Sequence, residues 1–315
     1  MNWFAGLLFW GVLLVGPAQA QNACAFRGDL APAYCDANRD LVADMPTDPT
    51  RWQDPAALVF SYSPVENSAV HERLFKPFLE YLGQCTGRQV SYLPTQSSEE
   101  EIEAMRTGRL QIAGFATGAT VSAVRKAGAV PFAEKGFVDH AQGSQVLVIV
   151  RKDRPYKKLA DLKGKVVAHV SPISLSGHLV PLALFPKEGL VPGLDYSIVY
   201  SGKHDHSIQQ VRAGVYEAAS VTLNVFERMV LRGEIREDEF RVIYRSAKFP
   251  SSAFAHAHDL EPKLRNRLLK CFYDYRFDSE MQKVFDGTDR FYPITYQRDY
   301  ALVRDVMEKA SEAAR

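Results

Sequence analysis

From Leu58 onward, short apolar runs alternate with amphipathic stretches of helical period, and this alternation limits the possible folds most. Leu58 to Tyr62 reads as a strand, "AVHERLFKPFLEYLGQCTG" as a helix ended by Gly87, and "RQVSYLP" as a second strand. "SSEEEIEAMRTG" reads as a helix with a capping box at Ser98 and Glu101, and "LQIAGFATG" as a third strand entering a small-residue turn. Parallel strands need a crossover segment between them, and helices of this length cover both sheet faces. The pattern therefore predicts an α/β fold with parallel-rich sheets and helices on both faces.

The same pattern begins again at "SQVLVIVRKD". "KLADLKGKVVAHVSP" gives a short helix, a turn and a strand, and leads into "SPISLSGHLVPLAL", where two serines and a glycine open a buried helix. "YSIVYSGKHDHSIQQVRAG" gives strand, polar loop and helix, and "EAASVTLNVFERMVLRG" gives strand and helix. After "RVIYRSAKFPSSAFAHAHDL" the chain reads as helical to its end. This predicts two lobes joined by two chain crossings, residues 57–143 with 250–315 forming one and 144–249 the other. Ligands of open parallel sheets bind beyond the C-terminal strand ends, where "FATGAT", "SPISLSG" and "SGKHDHS" are placed. A first helical turn offers unpaired N–H groups and a positive dipole end, so Ser174 and Ser176 are either caps or donors to an anion.

The first twenty residues have no charged side chain and end in Ala-Gln-Ala. This predicts a signal peptide over 1–20, cleavage before Gln21 and a periplasmic mature chain. Residues 21–56 read as an irregular Asp/Pro-rich extension. Within it Asp36, Asn38, Asp40 and Asp44 alternate like calcium ligands. Leu41 occupies the glycine position of such a loop and no closing glutamate follows, so a solvated acidic turn is the default and calcium the alternative. The formal net charge of +1 gives no electrostatic case for nucleic acid. In an oxidising compartment the four cysteines can pair: Cys24 with Cys35 by proximity, and Cys85 with Cys271 either as a second bridge or as two buried thiols.

The segments "VRKDRPYKKLADLKGKVVAHVSPISLSGHLVPLAL", "YSGKHDHSIQQV" and "FERMVLRGEI" resemble the periplasmic phosphonate-, phosphite- and phosphate-binding proteins of ATP-driven importers. "YSPVENSAVHERLFKPFLEYL" and "IEAMRTGRLQIAGF" resemble that family's first domain, and the likeness runs from about Leu58 to about Leu268. It implies a two-lobed clamshell of type II kind, a phosphorus oxyanion in the cleft, no cofactor, a monomer, and a membrane permease as partner. The family's Ser-Thr-Ser-Gly run falls on Ser174, Leu175, Ser176 and Gly177, with Leu175 in place of the threonine. Its histidine falls on His204, with Asp205 placed to orient the ring. In the first lobe Phe115 replaces the usual tyrosine, leaving Thr117 and Thr120, with Ser63, as donors. Thr222 and Asn224 stand where acidic residues are common in the family, so the resemblance implies a compact oxyanion over an aminoalkylphosphonate.

Three rival readings remain at this level. A hydrolase has Ser, His and Asp available but no G-x-S-x-G elbow. A metal site has the pairs His204/His206 and His256/His258, of which only His204 matches the family. A sensor subunit presenting an oxyanion, arsenic oxyanions included, to a membrane kinase would use the same clamshell.

Overall fold

The computed structural model describes residues 24–63 and 68–313. The expected leader, residues 1–20, and its cleavage point lie outside the described residues.

The first unit runs β1 (Ala57–Tyr62), α1 (Ser68–Thr86), β2 (Gln89–Tyr92), α2 (Ser98–Arg106), β3 (Ile112–Phe115), α3 (Thr117–Ala127) and β4 (Ala129–Gly136). The second runs β5 (Val146–Arg151), β6 (Val166–His169), a π-helical turn (Leu175–Leu179) continued by α4 (Val180–Leu184), β7 (Ser197–Tyr200), α5 (His204–Arg212), β8 (Ala218–Thr222), α6 (Leu223–Leu231) and β9 (Phe240–Arg245). The chain then returns with β10 (Ala253–Ala257), α7 (Pro262–Asp274), α8 (Ser279–Val284), β11 (Arg290–Pro293), α9 (Tyr296–Asp299) and α10 (Ala301–Ala313).

Two sheets result. The first has the order β11-β4-β10-β3-β1-β2, the second β7-β6-β8-β5-β9. Strands β1 to β3 are parallel, as are β6 to β7 and β8, while β10, β11 and β5 pair antiparallel with their neighbours. Sequence periodicity passes over β4, β10 and β11. The chain after "SSAFAHAHDL" is not helical to its end, because β11 interrupts it; "SSAFAHAHDL" itself carries β10, which sits between β3 and β4 and draws the returning chain into the first sheet. The two crossings meet where Ser144 and Phe249 bridge.

Alternation along the strands feeds two apolar layers. Leu58, Phe60 and Tyr62 point to the face that packs Phe75 and Phe78 of α1 and Phe272 of α7. Ile102, Met105, Ala119 and Ala123 cover the other face. Gly87 ends α1 at a φ of 71°, a left-handed position that glycine accepts without a Cβ clash. Both disulfides are present, Cys24–Cys35 and Cys85–Cys271, the latter joining α1 to α7.

The N-terminal extension is irregular in backbone, yet it contributes to a core. Leu30, Tyr34 and Ala43 pack with Tyr300, Val303 and Val306 of the C-terminal segment, and with Leu175, Leu179 and Val180 of the second unit. Asp36 accepts the N–H groups of Asp40 and Leu41 at 3.0 and 3.1 Å. Asn38 accepts from Asp40 at 3.0 Å, and Asp44 from Ala37 at 2.6 Å. These hydrogen bonds fold the acidic stretch into a tight Asx-type turn.

The cap of α2 differs from expectation by one residue. Ser97, not Ser98, receives the Glu100 N–H at 3.1 Å. Glu101 turns inward instead, fully buried, and takes the Ser63 hydroxyl at 2.5 Å. Burial pushes its carboxyl up to about 8, the serine bonds holding it down only in part. The folded value lies above the unfolded one, about 4.3, so the native state binds the extra proton. The stability this contributes is complete below the unfolded value and is lost as pH rises through about 8. Glu101→Gln is therefore expected to flatten the fall in melting temperature between pH 5 and 9; parallel curves for variant and wild type would contradict this.

Candidate functional site

A cavity of about 900 Å³ lies between the two sheets, at the C-terminal ends of β3, β6 and β7. All three polar loops reach it: Thr117 from the first, Ser171 and Ser174–Ser176 from the second, and Ser201–His206 from the third. Thr222 and Asn224 at the start of α6 complete that wall. The two units touch beside it, where Gly118 stands so close to the Ile173 carbonyl that any side chain at 118 would overlap it. Asn224 donates to the Asp286 carboxylate of the first unit at 2.7 Å, a second hold across the cleft.

The two serines divide the tasks left open by sequence. Ser174 is the N-cap of the π-helical turn, its hydroxyl receiving the Gly177 N–H at 3.0 Å. The Ser176 hydroxyl faces Nε2 of His204 at 3.4 Å. Gly177 does not line the cavity; a Cβ there would meet Val170 at 2.6 Å, so its role is close packing of the turn onto β6. Leu175 is buried and lines the cavity beside them.

His204 opens α5 and is buried. The backbone N–H of Thr222 donates to its Nδ1 at 3.3 Å. In the neutral ring that bond places the proton on Nε2, aimed toward Ser176 and the cavity. Asp205, expected to orient the ring, accepts the His206 N–H through Oδ1 at 2.8 Å. Helix α5 has no side-chain cap, so the positive end of its dipole opens onto the cavity that Lys203–His206 line. Behind the π-helical turn, His178 Nδ1 meets His169 Nδ1 at 2.7 Å, and the outer nitrogens meet Tyr200 and Tyr196. Burial pushes both imidazoles down, His178 to about 4 and His169 to about 3, so the pair stays neutral and holds the turn from below.

Two expected donors lie elsewhere. Thr120 is buried in α3 and donates to the Ala116 carbonyl at 3.1 Å, near the Tyr300 hydroxyl and off the cavity wall. Ser63 is buried too: it donates to Glu101 and accepts the Ala116 N–H at 2.8 Å, which fixes the start of α3. Thr117 does line the cavity, with its hydroxyl on the Pro250 carbonyl at 3.1 Å. Phe115 is fully buried, and Tyr62 presents the phenol on that side. His206 hydrogen-bonds the Ser201 carbonyl and His256 that of Ala257, while His258 packs edge-on against Tyr34. Among the described residues no three His, Cys, Asp or Glu side chains are grouped to hold a metal ion.

Sequence reasoning passed over Lys135 and Arg228, buried cations that line the cavity. The available signal was "PFAEKG", a glutamate and a lysine at the end of a small, apolar strand.

Two α/β units, doubly crossed and enclosing a polar cleft at their strand ends, define a two-lobed binding-protein fold of the type II kind. Residues 60–300 match the family described as ABC transporter, phosphonate, periplasmic substrate-binding protein, and the chain belongs to that family. The phosphate-import protein PhnD of Mycolicibacterium smegmatis is 27% identical over 245 residues, 73% of this chain and 75% of the relative. A binding-protein component of an ABC phosphonate transporter from Pseudomonas aeruginosa superposes with a TM-score of 0.74 at 23% identity, covering 82% of this chain and 87% of that one. PhnD1 from Prochlorococcus marinus, solved in complex with methylphosphonate, gives 0.73 at 18% identity, covering 82% and 100%.

Proposed function

We propose that the chain captures a compact phosphorus oxyanion (phosphate, phosphite or a short alkylphosphonate) in this cleft and delivers it, as a periplasmic monomer, to the permease of an ABC importer. The observation that carries the reading is the convergence of the Ser176 hydroxyl and the His204 Nε2–H at the uncapped start of α5. Charge-assisted donors of this kind hold a tetrahedral oxyanion well. The name of the mycobacterial relative and the ligand of the Prochlorococcus structure support the same ligand class.

The tautomer argues against hydrolysis. A triad base needs a free Nε2 lone pair and a carboxylate on Nδ1–H. Here Nδ1 accepts from a backbone amide, so Nε2 is a donor.

Charge argues against an aminoalkylphosphonate. Thr222 pairs its hydroxyl with Ser144 at 2.8 Å and Asn224 faces Asp286, so neither brings a charge to a ligand ammonium. An ammonium buried without a counter-charge is costly. In competition calorimetry, methylphosphonate or phosphate is expected to bind about tenfold or more tighter than 2-aminoethylphosphonate. Tighter binding of the amino compound would overturn the ligand assignment, and no binding of any phosphorus oxyanion would overturn the function.

A further inference from the structure

The first-unit wall of the cleft holds a charge that the oxyanion cradle does not explain. Lys135, on β4, is only 4% exposed and lines the cavity. Its Nζ donates to the Tyr62 hydroxyl at 3.0 Å, with the faces of Phe285 and Tyr62 at 4.9 and 5.5 Å. Among the described residues no ion pair to Lys135 is formed, and of its three N–H donors the tyrosine takes one. The neighbouring Glu134 turns away to the Ser251 N–H and hydroxyl at 3.2 and 3.4 Å. Burial pushes that carboxyl up to about 8, leaving it neutral near pH 7.

The other charges on the cavity wall are distributed unevenly by depth. Glu99 and Glu234 are exposed, Glu234 is paired with Arg232 at 2.6 Å, and Asp205 is half-buried. The charged residues buried on the wall, Lys135 and Arg228, are both cationic. A buried ammonium whose protein partner is a neutral phenol is stable only if an anion or water completes its shell. A bare oxyanion held by Ser176 and His204 on the opposite wall fills a small part of 900 Å³.

We propose that Lys135 and Tyr62 form a second subsite for an anionic substituent, so that the preferred ligand is a short phosphonate bearing a carboxylate. This rests on the oxyanion reading and adds to it: Thr222 and Asn224 bring no charge for an ammonium, and the first unit supplies one for a carboxylate.

The test is calorimetric titration of wild type, Lys135→Met and Lys135→Arg with phosphonoacetate, methylphosphonate and 2-aminoethylphosphonate. Wild type is expected to bind phosphonoacetate about tenfold or more tighter than methylphosphonate. Lys135→Met is expected to remove that advantage while leaving methylphosphonate within about threefold, and Lys135→Arg to retain part of it. Equal affinities for the two ligands in wild type overturn the subsite without any variant having to fold. An equal loss of both ligands in Lys135→Met also overturns it, because Lys135 then meets the phosphonate group itself. If no phosphonate binds wild type, the oxyanion reading fails and the subsite with it; if methylphosphonate binds and phosphonoacetate does not, the subsite alone fails.

Discussion

His204→Ala is expected to weaken binding of phosphate or methylphosphonate by roughly ten- to a hundredfold, the range for losing a hydrogen bond to a charged partner. The ring contributes one donor, Nε2–H, whose direction is set by the Thr222 amide on Nδ1 and whose neighbour is the Ser176 hydroxyl. Removing the ring also leaves the Thr222 N–H without that acceptor. His204→Gln, whose amide can point one N–H toward the cleft, should therefore retain more affinity than alanine. Ser176→Ala is expected to cost about tenfold, and Ser174→Ala to act through the π-helical turn, since its hydroxyl caps Gly177. Calorimetry separates these if each variant melts near wild type. Unchanged affinity in both His204→Ala and Ser176→Ala would place the oxyanion elsewhere.

The second large effect is on stability. Cys85 and Cys271 are 186 residues apart and tie α1 to α7, the two helices that cover one face of the first sheet. In the chain-entropy description, a loop of that length stabilises the fold by on the order of 5 kcal/mol, and measured losses typically fall at about 2–5 kcal/mol. Replacing both cysteines by alanine is expected to lower the unfolding free energy by an amount in that range, read from denaturant melts. The Cys24–Cys35 bridge closes a loop of 11 residues in the extension, so its removal should cost less. The opposite ranking would contradict the loop-length argument.

What was legible in the sequence followed from periodicity and loop chemistry. The parallel strands β1 to β3 and β6 to β8 stand out because their helices are amphipathic and their loops small and polar. Those loops meet in one cavity because each leaves the C-terminal end of a parallel strand. Strands β10 and β11 were hidden: β10 is "AFAHA" and β11 is "RFYP", neither with a β-branched residue and the latter ending in proline. Their place in the first sheet is decided by tertiary pairing with β3 and β4. Thr120 and Ser63 have the right chemistry for an oxyanion, and only burial and their actual partners remove them from the wall. Lys135 was missed for the complementary reason. A lysine in a strand reads as an edge residue, and nothing local tells that Tyr62, distant in sequence, will meet its ammonium at the cleft.

Oxyanion capture in this cleft is tested most directly by a crystal structure of the mature chain grown with methylphosphonate. A tetrahedral anion is expected between the two units, one oxygen within hydrogen-bonding distance of both Ser176 Oγ and His204 Nε2 and another at the first-turn amides of α5. An anion bound away from this cleft, or a cleft that stays empty at saturating methylphosphonate, would contradict it.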